Sequence, residues 1–362
     1  MKIAILGTRG IPNYYGGFEQ FAEYLSIGLA QRGHDVTVYN SHSHPYQEND
    51  YNGVKICHIY DPENRIGTAG QFIYDLLCIL DTHKHDYDII LQLGYTSSSV
   101  FFNLHPAKSI VVTNMDGLEW KRTKYSAKVQ KFLQWAESLA VKKSDALISD
   151  SIGIQNYLKA KYGTESTYIP YGSDVITQYD EAVCAQYGVE KYGYDMLIAR
   201  LEPENSIEII LDGVANAKTK RPFLVIGKHE TKYGEYLKAK FLHVPNIAFI
   251  GGVYDKSKLD NLRCFSNLYF HGHTVGGTNP SLLEAMGSNA LICANNNEFN
   301  STILGIDALY FTNSDDVAQY LNTIQKSNYN QYIKNNIKKI QDIYSWDTII
   351  DQYEKLFFAI FK

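Results

Sequence analysis

Residues 267–296 read NLYFHGHTVGGTNPSLLEAMGSNALICANN, and this stretch decides the fold. A short β-rich run, Asn267–Phe270, enters a glycine-rich loop. Pro280 then opens an apolar helix, and a second apolar run, ALICA (290–294), follows it. Proline suits the first helical position because the N–H it lacks has no partner there in any case. Strand, loop, helix and strand in succession make a βαβ unit, whose crossover is right-handed and whose strands are parallel.

Outward from this unit the same alternation continues in both directions. Upstream lie YDMLIA (194–199), FLVIG (223–227) and IAFIGG (247–252), each followed by a helical pattern. The first half of the chain repeats the arrangement with KIAIL (2–6), DVTVY (35–39), DIILQL (88–93), SIVVT (109–113) and DALIS (145–149). Helical periodicity fills the intervals at Phe18–Gln31, Gly70–Thr82, Ser126–Lys143 and Ile152–Lys161. Residues Ile176–Tyr192 break the rhythm and read as a linker with a short polar helix. The chain is therefore α/β, with two doubly wound, Rossmann-like domains expected at residues 1–175 and 176–344. The remaining residues, 345–362, read as an apolar helix with no strand after it, expected to cross the domain junction and pack back on the N-terminal domain. In sheets of this kind ligands bind beyond the carboxyl ends of the strands.

Composition narrows the function classes. The 362 residues are 45% hydrophobic and 20% charged, as in a soluble globular protein, and the formal net charge of −5 argues against a chain-wide nucleic-acid surface. The five cysteines (Cys57, Cys78, Cys184, Cys264, Cys293) show no paired spacing, which fits a reducing compartment. Lys2–Leu6 already reads as a strand, so no secretory leader is expected. No apolar run approaches the roughly 20 residues of a membrane span. A cytoplasmic protein, at most peripheral on the inner face of the plasma membrane, is the expectation.

Three loops carry candidate chemistry. The first, Gly7–Glu19, joins the first strand to a helix and contains Gly16 and Gly17, whose backbone N–H groups suit a phosphate. It is too long for a dinucleotide fingerprint, and Tyr39-Asn40-Ser41 supplies no acidic residue where a ribose would need one, so an NAD site is disfavoured. The alternative is a structural turn. Glu19 is either an acceptor contact or a carboxylate placed in the first turn for the helix dipole. The second loop, ARLEPENSIEII (199–210), puts Arg200 at a strand end, where a guanidinium suits a diphosphate; the alternative is pairing with Glu202 or Glu204. The third loop brings the N–H groups around Gly277, Thr278 and Asn279 to a helix start, with Glu284 one turn further on.

Together these segments resemble the retaining glycosyltransferase family 4 of the GT-B fold. The resemblance runs through the Gly-Gly loop, YIPYGSD (168–174), ARLEPEN (199–205), FIGGV (249–253) and NPSLLEAMG (279–287). More narrowly, ILGTRGIPNYYGGFEQFAEYLS, DGLEWKRTKYS and HGHTVGGTNPSLLEAM resemble a subgroup of bacterial rhamnosyltransferases of capsule and other surface-polysaccharide assembly. The resemblance implies two domains facing across a cleft that holds the donor. It implies a retaining transfer of a sugar, L-rhamnose from dTDP-rhamnose, to a lipid-linked saccharide acceptor. A UDP- or GDP-sugar donor and a catalytically silent nucleotide-sugar-binding protein are the alternatives.

Carried over by position, Gly16 and Gly17 meet the diphosphate or donor sugar, Arg200 the phosphates, Glu284 the ribose, and Gly251 and Gly252 the base. Two positions depart from the family pattern: its lysine five residues after the arginine is Asn205, and the first glutamate of E-x7-E is Gly276. Lys228, in VIGKHE, is the candidate to replace that lysine in stabilising the leaving diphosphate. Asp116 takes roughly the place of the family's active-site histidine; it is either a polar helper beside the sugar or a cap for the turn at Gly117. His273 borders the donor loop.

No metal or other cofactor is expected. Asp86-Tyr87-Asp88 precedes a strand and reads as a polar turn, and His42/His44, His83/His85 and His271/His273 read as loop histidines without further zinc ligands. The segment Glu119–Lys143, basic and carrying Trp120, Phe132 and Trp135, suits either an anionic membrane surface or an ordinary solvated face.

Overall fold

The computed structural model describes residues 1–14, 16–115, 117–122 and 125–361. The chain divides into two compact units, residues 1–172 with 346–362, and residues 173–345.

In the first unit the strands are β1 (Lys2–Leu6), β2 (Asp35–Ser41), β3 (Asp50–Tyr51), β4 (Val54–Ile59), β5 (Ile89–Leu93), β6 (Ile110–Asn114), β7 (Ala146–Ser149) and β8 (Thr167–Tyr168). They form one sheet in the order β3-β4-β2-β1-β5-β6-β7-β8. All pairings are parallel except β3 with β4. The central strand β1 is flanked by Val36 and Ile89, both in register with Ile3. The β3–β4 hairpin, with Asn52 and Gly53 at its turn in positive φ, is absent from the sequence reading; β3 has only two residues.

The Trp346–Ile360 helix belongs to this first unit. Its apolar stripe, Ile349, Ile350, Tyr353 and Phe357, is buried. Trp346 stacks on Tyr24 of the Gly17–Gln31 helix at 4.3 Å, and Tyr353 accepts a hydrogen bond from the Asn114 amide at 3.2 Å. Arg32 and His34 pair with Asp351 and Glu354 along the rim. Full burial of each large apolar side chain contributes about 1.5–3 kcal/mol, so this stripe, more than the ion pairs at its rim, fixes the helix.

The second unit contains β9 (Asp195–Ile198), β10 (Phe223–Ile226), β11 (Ile247–Gly251), β12 (Leu268–His271), β13 (Ile292–Asn295) and β14 (Leu309–Phe311). Their order is β11-β10-β9-β12-β13-β14, and every pairing is parallel. Strands buried on both faces need continuous apolar runs, which is why FLVI and LYFH read as they do. The chain winds outward from β9 to β11, then returns to β12 and winds the other way. The crevice between the ends of β9 and β12 is therefore the topological switch point, where open α/β sheets bind ligands.

Candidate functional site

In the second unit the switch point is closed below by backbone packing. A β-carbon on Gly272, just past β12, would stand 2.1 Å from the Asn205 carbonyl oxygen, so only glycine lets the β9 and β12 loops touch. Asn205 itself is buried, and its amide donates to the Arg200 carbonyl at 2.7 Å. Asn205, which stands where the resemblance expects a donor-contacting lysine, here braces the loop, because its amide finds a backbone carbonyl within reach. Thr274 adds a second tie, donating through its hydroxyl to the Glu204 carbonyl at 2.8 Å.

Held on this braced turn, the Arg200 side chain is exposed and forms no ion pair or side-chain hydrogen bond among the described residues. Pairing with Glu202 or Glu204 does not occur. Lys228, two residues past β10, is likewise exposed and unpaired among the described residues. The ends of β10 and β11 are joined by the Gly227 N–H, which donates to the Gly251 carbonyl at 2.9 Å. The carboxyl edge of β9, β10 and β11 thus presents two uncompensated cations next to the Gly251–Gly252 backbone.

On the other side of the switch point, β12 leads into the 272–279 loop and the Pro280–Gly287 helix. Pro280 occupies the first turn, and the Asn279 side chain caps it by accepting from the Ser281 N–H at 2.9 Å. Gly276 has φ +133 and open space around it, and Thr278 is buried. Glu284 meets a residue that the loop-by-loop reading passed over. Arg263, 1% exposed, donates to Glu284 Oε2 at 2.7 Å, to Asp260 Oδ1 at 3.0 Å and to Ser281 Oγ at 3.2 Å. Burial alone would favour losing its proton, but Glu284, Tyr269 and Asp260 outweigh it and hold the guanidinium above its ordinary value. The spacing Asp260-x-x-Arg263 on a helix with buried Leu262 and Phe265 is the signal that places both charges on one inward face.

His271 is the last residue of β12, not a loop histidine as its sequence setting suggests. It is buried, and its ring stacks on His273 at 4.4 Å and 17°. Burial, with His273 and Arg263 acting in the same direction, drives its pKa well below the ordinary value, so the ring is neutral. The His273 carbonyl accepts from Asn297 and Asn300, which fixes the loop at its start.

In the first unit the glycine-rich loop is differently organised. Several of its backbone N–H groups are taken up by side chains of the same unit: Arg9 to Glu19 (2.9 Å), Gly10 to Thr8 Oγ1 (3.2 Å), Ile11 to Asn40 (3.0 Å), Asn13 to Glu23 (2.7 Å) and Gly16 to Asn13 (3.2 Å). Gly16 is the N-cap of the helix that Gly17 begins. Glu19 is 4% exposed and also accepts from the Thr8 hydroxyl at 3.2 Å. Glu19 thus stands in the first turn of its helix and ties down the Thr8–Arg9 stretch of the loop that leads into it. Arg9 is held by Glu63 through two bonds, 2.8 and 3.0 Å. Asp75, buried beneath this edge, accepts from Ser97 Oγ at 2.6 Å, and burial pushes its carboxyl up to about 7 against the pull of that hydroxyl. Asp116 lies outside the described residues. Among the described residues no group of three or more His, Cys, Asp or Glu side chains is placed to hold a metal.

With this geometry in place, comparison with known proteins is informative. Residues 1–174 match a family described as a domain of unknown function (DUF1972). No curated protein sequence matches the chain. Among solved structures, sucrose-phosphate synthase from Thermosynechococcus elongatus superposes with a TM-score of 0.79 at 15% identity over 99% of both chains. HepE from Anabaena, solved with UDP and glucose, gives 0.77 at 16% identity, covering 99% of this chain and 100% of that one. WaaG, a glycosyltransferase involved in lipopolysaccharide biosynthesis, gives 0.71 at 14% over 99% of both. The chain has the GT-B fold. At these identities the likeness speaks for the architecture, two parallel-sheet α/β domains, and the chemistry has to be argued from the site.

Proposed function

We propose that this GT-B chain is a glycosyltransferase whose nucleoside-diphosphate sugar donor is held at the carboxyl edge of the second unit. One observation carries the reading: Arg200 and Lys228 stand unpaired and exposed at the ends of adjacent strands beside the switch point. Two such cations suit a diphosphate, which accepts charge-assisted hydrogen bonds on several oxygens. HepE, of the same fold, was solved with UDP and with UDP-glucose, which supports a nucleoside diphosphate as the ligand class.

Breaking a sugar–phosphate bond places negative charge on the departing diphosphate, and pre-positioned cations stabilise it without reorganisation. Arg200 takes the main part and Lys228 assists, compensating for a buried amide at position 205. The N–H groups of the 276–279 loop and Glu284 complete the donor contacts in this reading, with Glu284 directed to the ribose. The transfer is retaining, the sugar is L-rhamnose from a dTDP donor, and the acceptor is a lipid-linked saccharide of surface-polysaccharide assembly. Asp116 is the helper beside the sugar. The sequence resemblance supports these finer assignments.

The Ala127–Lys143 helix supports work at a membrane surface. Trp135 is 51% exposed and Val129 39%, and Lys128, Lys131, Lys142 and Lys143 form no ion pair among the described residues. No described helix is long and apolar enough to cross a membrane. Such a face suits peripheral contact with anionic lipid. Vesicles containing anionic lipid should sediment the protein and neutral vesicles should not; equal recovery with both would remove this part of the reading.

The deciding experiment is thermal stabilisation of the purified protein by TDP, UDP, GDP and NAD at equal concentration. A ligand at about a hundred times its Kd stabilises the native state by about 2.7 kcal/mol. A shift with TDP alone supports the rhamnose donor, and a shift with UDP or GDP keeps the glycosyltransferase but replaces the donor. A shift with NAD alone overturns the proposal.

A further inference from the structure

We infer that Tyr254 is the platform on which the nucleobase of the donor stacks, an inference that rests on the donor reading above. β11 ends in Gly251, with φ +86, and Gly252 follows, so two residues without side chains stand at this strand end. A ring borders each of these two glycines. His229 Cε1 is 3.6 Å from where a β-carbon on Gly251 would be. The Tyr254 ring lies against Gly252: its hydroxyl oxygen, Cε2 and Cζ are 2.8, 2.9 and 3.0 Å from a β-carbon built there. Any side chain at 252 would push the ring away.

Tyr254 is 84% exposed, more than any other aromatic side chain among the described residues. Its hydroxyl has no hydrogen-bond partner among the described residues. Two other exposed tyrosines are tied through their hydroxyls, Tyr236 donating to Glu208 and Tyr179 to the Ile176 carbonyl, both at 2.5 Å, while Tyr14, Tyr60 and Tyr192 meet a histidine ring or a lysine. Neither core packing nor a polar tether accounts for the position of Tyr254, and its outer face is open to water.

The order of the strands supplies the second half of the argument. Arg200 follows β9, Lys228 follows β10 and Tyr254 follows β11, three neighbours in the sheet. Two strand spacings are about 10 Å, comparable to the reach across a ribose from a diphosphate to its base. A ligand with its phosphates on the two cations therefore brings its base to the tyrosine. Stacking on an aromatic ring accepts any base, so Tyr254 contributes affinity for the nucleoside and leaves base choice to other groups.

The test is titration calorimetry on the full chain with UDP, TDP and inorganic pyrophosphate. Y254A should raise the Kd for whichever nucleotide the wild type binds by about tenfold and leave pyrophosphate unchanged, while Y254W keeps wild-type affinity. G252V, which displaces the ring while retaining the tyrosine, should lose nucleotide affinity as Y254A does. Unchanged nucleotide binding by Y254A overturns the inference, as does an equal loss for pyrophosphate. A wild type that binds pyrophosphate but gains nothing from a nucleoside also overturns it, with the anion site left standing. A wild type that binds none of the three brings down the donor reading itself.

Discussion

Arg9 and Arg200 occupy corresponding places, just past the first and central strand of each sheet, yet the two arginines are used differently. Glu63 holds Arg9 through two of its guanidinium nitrogens, Nε and Nη2, and the surrounding loop directs N–H groups to its own side chains. The Arg200 carbonyl accepts from the Asn205 amide and the Glu202 N–H, and its guanidinium is free of partners among the described residues. The difference lies in the neighbours: the first unit places a carboxylate opposite its arginine and the second does not. A charge that is already paired holds structure, and an unpaired one is available to a ligand.

The largest effect should come from Arg263, an arginine of the second unit that is ion-paired as Arg9 is. Arg263→Leu leaves Asp260 and Glu284 without their buried partner and should cost about 3–5 kcal/mol, read as a fall in the urea midpoint. A smaller loss would mean that water or a rearranged Ser281 compensates. At the edge of the first unit, Asp75 binds its proton more tightly folded, near pH 7, than unfolded, near pH 4. The native state therefore holds more protons between those values, and stability should fall as pH rises from about 4 to about 7. Asp75→Asn should flatten that fall; an unchanged pH profile would show that the carboxyl is not buried in solution.

Arg200→Ala sharpens the comparison most directly. Nucleoside-diphosphate affinity should drop at least tenfold, since hydrogen bonds to charged groups contribute about 1.5–3 kcal/mol. The unliganded protein should keep its stability within about 0.5 kcal/mol. Glu63→Gln is the mirror image: it should cost up to about 1 kcal/mol of stability and leave nucleotide affinity unaltered. Nucleotide binding gained or lost in Glu63→Gln would break the distinction between the two edges. Lys228→Ala should have the smallest effect, a severalfold rise in Kd, because a flexible ammonium fixes a diphosphate less firmly than a planar fork.

Much of the architecture was legible beforehand because parallel sheets impose it on the chain. Fully buried strands must be continuous apolar runs, so KIAIL, FLVI and LYFH show themselves, and Pro280 and Asn279 mark a helix start by backbone chemistry alone. The hairpin at Asp50–Ile59 went unread because its first strand has only two residues, although the Asn52-Gly53 pair between the strands is a hairpin-turn signal. Arg200, Lys228 and Glu284 could be singled out because each follows or enters a recognisable element.

What sequence could not decide was which polar groups are already satisfied. Glu19 and Asn205 look like site positions in one dimension and His271 like a loop residue, and nothing local marks Arg9 or Arg263 as paired. Their partners lie far along the chain or across a turn: Glu63 for Arg9, Glu284 for Arg263, the Arg200 carbonyl for Asn205. Local periodicity is set by bonding between near neighbours, so the sequence alone determined the strands, the helices and the two doubly wound units. The state of each charge depends on what the fold brings within about 3 Å of it, and only the tertiary structure decided that.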